Sequence, residues 1–182
     1  MKVTKATLAG ILLLEPATYA DNRGFFVETY ERAKYEALGI KEKFVQDNHS
    51  RSARGVLRGL HFTREKPQAQ IVTVLRGRIF DVVVDIRKAS PTFGQWFGTE
   101  LADDQIRQIY MSHGFAHGFC VLSEVADLHY KVSQTYDPKD DGGLRWNDPE
   151  VGIKWPVDMP VMSERDRNHP LLRAIQLNPG KT

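Results

Sequence analysis

Short apolar runs alternate with turn-forming residues along most of the chain, and they predict strands rather than helices. The runs recur roughly every ten residues, are rich in β-branched and aromatic side chains, and are separated by glycine, proline or charged residues. The predicted strands or extended segments are 8–14, 25–30, 44–50, 56–62, 71–75, 80–86, 96–101, 106–110, 117–122 and 126–132. This rhythm indicates an all-β sandwich or barrel.

Two segments depart from the strand pattern. Residues 31–38 are rich in alanine, glutamate and lysine, and Gly39 follows as a left-handed cap, so they predict one short helix. A serine followed by acidic residues predicts a helical turn at 163–166. After Pro138 the chain is rich in loops, and we expect it to wrap around the β structure and to end loosely from Gln176. Without a repeat or a linker in the sequence, residues 1–182 are predicted to form one domain.

Composition narrows the class of protein. The hydrophobic fraction of 41% and the charged fraction of 26% are typical of a soluble globular chain. The net charge of +2, with scattered basic residues, argues against a nucleic-acid partner. The apolar stretch 8–14 is too short for a membrane span and is broken by Gly10, so we interpret it as a strand and not as a signal peptide. The single cysteine, Cys120, fits a buried residue in a cytoplasmic protein.

Candidate chemistry begins in the stretch 55–61, Gly-Val-Leu-Arg-Gly-Leu-His. It places His61 at the end of a predicted strand and Arg58 on the same strand. Gly55 and Gly59 are expected to let the backbone pass close to a neighbouring segment. The stretch therefore predicts a histidine and an arginine beside a close backbone contact.

A second stretch of glycine and histidine lies at 113–119, His-Gly-Phe-Ala-His-Gly-Phe. It places His117 on another predicted strand, so the two stretches together predict a polar pocket inside the β structure. His113 and His117 have the i, i+4 spacing of a helical zinc site. The segment is predicted as a turn followed by a strand, and the two imidazoles should therefore not share a face.

Nine motifs recur along the chain in a fixed order, and together they resemble the dTDP-4-dehydrorhamnose 3,5-epimerase family. They are Asp21-x-Arg23-Gly24-Phe25-Phe26-x-Glu28, Gln46-Asp47-Asn48-x-Ser50, Gly55-Val56-Leu57-Arg58-Gly59-Leu60-His61, Asp85-Ile86-Arg87, Ser90-Pro91-Thr92-Phe93-Gly94, Gly114-Phe115-Ala116-His117-Gly118-Phe119, Tyr130-Lys131, Trp146-Asn147-Asp148-Pro149 and Trp155-Pro156. The resemblance covers residues 8–172. It implies a cupin-type double-stranded β-helix, a jelly-roll barrel, in a homodimer that exchanges N-terminal strands.

The resemblance also implies a reaction. A nucleotide-linked 4-keto-6-deoxy sugar, dTDP-4-dehydro-6-deoxy-glucose, would be converted to dTDP-4-dehydro-rhamnose for cell-surface polysaccharides such as lipopolysaccharide. The C4 ketone acidifies the hydrogens at C3 and C5, because removing either one leaves an enolate. Inversion then needs a base on one face, an acid on the other and donors to the enolate oxygen. No metal and no other cofactor is implied.

Roles for individual residues follow only from the resemblance. It implies His61 as the base, Asp166 as the carboxylate that fixes the histidine tautomer, and Tyr130 as the acid on the opposite face. It further implies substrate contacts at Arg23, Glu28, Gln46, Asn48, Arg58, His117, Tyr136 and Asp141. Arg23 would reach in from the partner subunit, and Tyr136 would stack on the nucleotide base.

Two positions depart from the family pattern. A lysine that contacts the substrate near the ketone usually follows the pair equivalent to Gln68-Ala69, and Gln70 stands in its place. A glutamate is common at the position of Asp141, whose side chain is one methylene shorter. The first change leaves open which nucleotide sugar is the substrate and whether one or two centres are inverted.

Two other classes of protein remain open. A metal-dependent cupin, an isomerase or a dioxygenase, would usually present a His-x-His pair with a nearby glutamate. His61 is followed by Phe62 and Thr63, so that pair is missing. A non-catalytic sugar-binding jelly roll would keep Arg58 and Tyr136, but it would have no reason to keep a base and an acid on opposite faces.

Overall fold

Two antiparallel β-sheets form the centre of the structure. The computed structural model describes residues 1–175; the predicted loose end from Gln176 lies outside them. The six-stranded sheet contains, in spatial order, β1 (Lys2–Lys5), β2 (Ile11–Glu15), β10 (Gln108–Met111), β7 (Gln70–Arg76), β12 (Val125–Val132) and β5 (Gln46–Ala53). The five-stranded sheet contains β13 (Asp141–Gly143), β6 (Leu57–Thr63), β11 (Phe115–Val121), β8 (Arg78–Asp85) and β9 (Trp96–Ala102). A hairpin of β3 (Thr18–Asp21) and β4 (Gly24–Val27) forms a small sheet of its own.

The main hydrophobic core lies between the two large sheets. Val72 and Leu128 enter it from the six-stranded sheet, and Val83 and Phe119 enter it from the five-stranded sheet. Burial of these side chains is the dominant favourable term in holding the sheets together. Cys120 is fully buried on β11, as predicted for a small hydrophobic residue.

The strand predictions are confirmed, because each predicted segment overlaps an observed strand. The first one begins too early: residues between β1 and β2 turn the chain, with Gly10 at a φ of 102°. Strands β1 and β3 were not predicted, and all of their residues are exposed. A strand that buries neither face carries no apolar alternation, and its sequence therefore does not mark it.

Both helix predictions are confirmed. Helix α1 (Arg32–Ala37) is capped by Glu31, whose carboxylate accepts two backbone N–H bonds of 3.0 Å, and Gly39 follows at a φ of 89°. Helix α2 (Glu164–Arg167) begins after Ser163, whose hydroxyl accepts the backbone N–H of Asp166 at 3.0 Å. A 3₁₀ turn (Leu172–Ala174) follows. Within residues 1–175, no helix is long and apolar enough to cross a membrane.

Gly59 and Gly55 have different functions in the backbone. A Cβ at Gly59 would lie 2.6 Å from the Cα of Gly118, so the predicted close backbone contact is confirmed there, and the neighbouring segment is β11. The backbone of Gly55 also meets neighbouring segments, since its N–H donates to Val121 at 3.0 Å and its carbonyl accepts from Val161 at 2.9 Å, but apart from its chain neighbours no described atom lies within 4 Å of where its Cβ would be. Gly55 is required for its φ of 77°, which side chains rarely adopt.

Asp85 ends β8 as a fully buried carboxylate that holds the following loop. It accepts bonds of 2.9 and 2.6 Å from Arg87, and bonds of 2.6 Å from the hydroxyls of Ser90 and Thr92. Burial by itself would raise the pKa of Asp85, but these donors outweigh it and hold the pKa at about 2. The ionised carboxylate therefore stabilises the folded state.

We expect Asp85→Asn to lower the free energy of unfolding by about 2 kcal/mol at neutral pH. A pKa that is lower in the folded state stabilises the fold fully above about pH 4 and loses that effect as the pH falls towards about 2. In urea unfolding between pH 2 and 7, the free energy of unfolding of the unchanged protein should fall by this amount as the pH falls. The variant should lack this part of the pH dependence. Asp158→Asn, at an exposed position, is the control; equal stability of the two variants would contradict the prediction.

Candidate active site

A cavity of about 220 Å³ lies between the two large sheets, and we call it the barrel cavity. The six-stranded sheet contributes polar side chains from β5, β7 and β12, and the five-stranded sheet contributes polar side chains from β6 and β11. These side chains are, in chain order, Asn48, Arg58, His61, Gln70, His117 and Tyr130. Six residues that the sequence analysis singled out are therefore brought together from five strands.

A second cavity of about 300 Å³ adjoins the first, and we call it the loop cavity. The two cavities share the side chains of His61, Gln68 and Gln70. Of these two cavities, the loop cavity alone is lined by polar residues from the end of β6, from β13 and from the loops and helix near them. They are Thr63, Tyr136, Asp137, Asp141 and Arg165. His61 therefore lies where the two cavities meet.

His61 is paired with a buried carboxylate. Its Nε2 lies 3.4 Å from Oδ2 of Asp166, and the same oxygen accepts the backbone N–H of Gly59 at 3.0 Å. Burial would raise the pKa of Asp166, but the imidazole and the Gly59 N–H outweigh it and hold the pKa below its ordinary value. An ionised Asp166 favours the tautomer with the proton on Nε2, which leaves the lone pair on Nδ1 to accept a proton. Nδ1 lies on the side of Asp141, at 3.8 Å from its Oδ1.

A second imidazole–carboxylate pair lies beside the first. His117 is the register partner of His61 on the neighbouring strand, and its Nε2 lies 2.8 Å from Oδ2 of the fully buried Asp81. Asp81 was not among the predicted site residues. Its signal in the sequence was a charged residue inside a mostly apolar strand, where a buried carboxylate requires a partner.

Tyr130 faces the barrel cavity from the opposite sheet. It lies on β12 and pairs in register with Asn48 on β5, whereas His61 lies on β6 of the five-stranded sheet. A ring that fills this cavity would therefore have the phenol and the imidazole on different sides. Arg58 shares the strand of His61, and its Nε donates to the hydroxyl of Ser52 at 2.9 Å.

Tyr136 stands at the rim of the loop cavity. The side chain is 60% exposed; its hydroxyl donates to Oδ2 of Asp141 at 3.3 Å, and its backbone N–H donates to Gln46 at 3.0 Å. Asp141 also forms an ion pair of 2.5 Å with Arg165, a residue that the sequence analysis missed although it precedes Asp166. The amide of Gln46 in turn donates to Asn48 at 2.8 Å, so these groups form one polar network.

Two predicted substrate contacts lie elsewhere in the chain. Arg23 is at the turn between β3 and β4, where its side chain is 85% exposed and pairs with Asp21 at 2.6 Å. Glu28 pairs with Lys34 at 2.7 Å. Neither side chain lines the barrel cavity or the loop cavity of its own chain. Within one chain the structure therefore does not bring these two residues to His61.

His169 is a third imidazole at the site that the sequence analysis missed. Its ring meets that of His61 edge to face, with 5.4 Å between ring centroids. Burial, together with the nearby His61, lowers the pKa of His169 below its ordinary value. One donor atom each from His61, Asp166 and His169 lie within 4.8 Å of one another, and such a group can hold a metal ion. The signal was a histidine three residues after Asp166.

The comparison with known families gives one clear match. The model of the dTDP-4-dehydrorhamnose 3,5-epimerase family matches residues 5–174. The dTDP-4-dehydrorhamnose 3,5-epimerase of Pseudomonas aeruginosa is 50% identical over 169 residues, which cover 92% of this chain and 93% of that protein. The match covers both sheets and both cavities, and it confirms the resemblance found in the sequence.

Two further relatives bear on the details of the reaction. The crystal structure of dTDP-6-deoxy-D-glucose-3,5-epimerase from Legionella pneumophila, in complex with dTDP-4-keto-L-rhamnose, has a TM-score of 0.94 to this fold at 44% identity. It covers 96% of this chain and 94% of that one. A dTDP-4-dehydrorhamnose 3-epimerase from Streptomyces niveus is 44% identical over 174 residues, covering 94% of this chain and 84% of that protein. Proteins with this likeness thus include both double and single epimerases.

Proposed function

Since the chain belongs to the dTDP-4-dehydrorhamnose 3,5-epimerase family, and is therefore an isomerase with the jelly-roll fold, we propose that it inverts C3 and C5 of dTDP-4-dehydro-6-deoxy-glucose to give dTDP-4-dehydro-rhamnose. The observation that carries the proposal is the His61–Asp166 pair facing Tyr130 across the barrel cavity. The product would serve dTDP-rhamnose synthesis in the cytoplasm, for lipopolysaccharide or another cell-surface polysaccharide.

Proton abstraction is the role proposed for His61. Nδ1 would take the proton from C3 or C5, while Asp166 would stabilise the imidazolium that forms. The developing charge on the C4 oxygen needs donors that are already in place. Arg58 lines the same cavity and is proposed for that role; the His117 imidazole, whose Nε2 is taken up by Asp81, would donate there from Nδ1 only as the imidazolium.

Reprotonation from the other face is the role proposed for Tyr130. Its position on the six-stranded sheet supports this role, because a sugar between the sheets would meet the base from one side and the phenol from the other. Asn48 and Gln70 would contact the sugar from the side of Tyr130. The loop cavity would receive the nucleotide, with Tyr136 stacking on the base and with Gln46 and Asp141 holding the tyrosine.

Solvent deuterium exchange tests the proposal. The purified protein would be incubated with dTDP-4-dehydro-6-deoxy-glucose in D₂O, and NMR would follow the C3 and C5 positions. We expect deuterium at both carbons together with the rhamno product, and the same rate with and without a chelator. Exchange at C3 alone would make the protein a 3-epimerase, loss of activity in chelator would favour a metal-dependent cupin, and binding without exchange would favour a sugar-binding protein.

Gln70→Lys tests whether this sugar is the natural substrate. Gln70 lines both cavities, and its amide donates to Gln68 at 3.0 Å. A lysine would bring a cation near the enolate, and charged hydrogen bonds are roughly twice as strong as neutral ones, a gain of about 1–2 kcal/mol. We therefore expect the variant to be roughly tenfold faster on dTDP-4-dehydro-6-deoxy-glucose in steady-state assays.

Gln70→Met is the matched control, since it keeps the length of the side chain without adding charge. We expect it to be no faster than the unchanged protein. If the lysine variant is folded and dimeric but much slower, the pocket is adapted to glutamine. A panel of 4-keto sugars that differ in nucleotide or ring substituents should then be tested for exchange at one or both centres.

A homodimer with exchanged N-terminal strands is also part of the proposal. The β3–β4 hairpin exposes Tyr19, Phe25 and Phe26, each by more than 60%, and Arg23 lies at its turn. Large apolar side chains grouped on a surface favour contact with another chain. Docking of this hairpin on a second copy would carry Arg23 towards the partner's cavities.

We expect the double variant Phe25→Asp/Phe26→Asp to be monomeric and to lose most of its activity, because it places two charges in the proposed interface. Sedimentation equilibrium and the exchange assay would measure the two effects. Met159→Asp, at a loop residue that is 92% exposed, is the control and should stay dimeric. An active monomer of the double variant would contradict the exchanged dimer. Deleting the N-terminus is a poorer test, because Ile11 and Leu14 are buried in the core.

A further inference from the structure

The side chain of His169 is a buried imidazole with an unpaired ring nitrogen. Its side chain is 9% exposed, and its Nε2 is buried without a hydrogen-bond partner among the described residues. Leaving a buried polar atom unpaired destabilises the folded state. The same Nε2 lies 3.7 Å from Oδ1 of Asp166, too far for a hydrogen bond and close enough for both atoms to reach a common ligand.

The distances around Asp166 fit a transition-metal ion. Nε2 of His61 lies 3.4 Å from one carboxylate oxygen, and Nε2 of His169 lies 3.7 Å from the other. Ligand atoms about 2.0–2.1 Å from a tetrahedral zinc ion are roughly 3.3 Å from each other. The three donor atoms lie within 4.8 Å of one another, so the side chains would have to close in by up to about 1.5 Å to share an ion. Two imidazoles and one carboxylate suit zinc and its neighbours, whereas calcium and magnesium prefer oxygen ligands alone.

The surroundings hold the three donors in place. The backbone N–H of Gly59 donates to Asp166 at 3.0 Å, and Asp166 belongs to helix α2, which Ser163 caps. The ring of His169 lies against Gly143, where a Cβ would come within 2.2 Å of it. Outer contacts of this kind fix the orientation of metal ligands and raise affinity.

We propose that His61, Asp166 and His169 form a binding site for Zn²⁺ or a similar divalent transition metal, and that the bound ion inhibits the enzyme. A metal on Nε2 of His61 occupies that lone pair, so the proton of the neutral imidazole must reside on Nδ1. Nδ1 is the nitrogen proposed to accept the substrate proton, and it would then be blocked. The inhibition rests on the proposed function, whereas the binding does not; the ion is not a cofactor of the reaction.

Direct binding is the first test. The full-length protein, freed of metal by chelator and dialysis, would be titrated with ZnCl₂ in a calorimeter. We expect one ion per chain, and we expect His169→Phe and His169→Ala each to weaken binding by at least about 10–100-fold. His169→Phe keeps a ring packed against Gly143, whereas His169→Ala removes the ring. If one of the two variants fails to fold, the other still tests the site. His49→Phe is the control, because His49 also lies near a carboxylate, 3.2 Å from Asp127, but belongs to no group of three metal-ligating donors within residues 1–175.

Inhibition is the second test. Zinc should stop deuterium exchange in the unchanged protein at concentrations near the measured Kd, and excess chelator should restore it. The exchange rate of His169→Phe, measured relative to its own rate without zinc, should be about tenfold less sensitive to zinc. The site is refuted if no stoichiometric binding occurs or if both His169 variants bind zinc as before. Binding without inhibition would refute the inhibitory role, and if the protein has no epimerase activity the calorimetry still decides whether the site exists.

Discussion

His61→Ala is expected to slow deuterium exchange at both C3 and C5 by about 10²–10⁴-fold, the usual cost of removing a general base. One imidazole is proposed to serve both abstractions, because among the described residues only His61 both pairs with Asp166 and lines the two cavities. Both positions should therefore lose exchange together. NMR of dTDP-4-dehydro-6-deoxy-glucose in D₂O resolves the two rates in one experiment.

His61→Asn should behave like the alanine variant, since an amide fills the space of the ring without accepting the proton. His113→Asn is the matched control, because His113 lies outside both cavities. Exchange at the normal rate in His61→Ala would refute the assignment of the base. Loss at only one carbon would mean that a second group abstracts the other proton.

Tyr130→Phe is expected to separate exchange from inversion. Abstraction by His61 would continue in part, but the proton could return only from the face on which it left. Deuterium should then enter the substrate while formation of the rhamno product falls by about 10²-fold or more, the usual cost of losing a general acid. The expectation follows from the position of Tyr130 and His61 on opposite sheets.

Wash-in and product would be measured in the same samples, by mass spectrometry and by NMR. Tyr30→Phe is the control, since Tyr30 packs against Tyr35 and Phe44 and lines neither cavity. If Tyr130→Phe gives the normal yield of product, another group is the acid. If it loses exchange as well, Tyr130 acts before or during abstraction.

Strands that bury one face could be predicted from the sequence, and exposed strands could not. β8 is a mostly apolar run, and β12 alternates between apolar and polar residues. The predicted bounds of both strands are close to the observed ones. β1 and β3 are exposed along their length, so their pairing depends on neighbours that no local period encodes. Strand β13 was missed for a related reason, because two of its three residues are glycines.

The candidate site could be predicted only in part. The position of His61 beside His117 follows from two Gly/His strands, and the register of β6 and β11 shows the pair directly. The pairing of His61 with Asp166 joins residues 105 positions apart and rested on the family resemblance. Asp81 and His169 were missed because their partners are brought to them by folding into the buried interior, and no spacing in the sequence indicates those contacts.

The division of the site into two cavities separates the groups proposed for proton transfer from the groups proposed to bind the nucleotide. Strands of the barrel carry the groups proposed for proton transfer, whereas loops and a helix end supply Tyr136 and Arg165. Loops accept substitutions and insertions more readily than packed strands. A lineage could therefore change the nucleotide it accepts without disturbing acid–base chemistry. Gln70 borders both cavities, so a change there would alter recognition and rate at once.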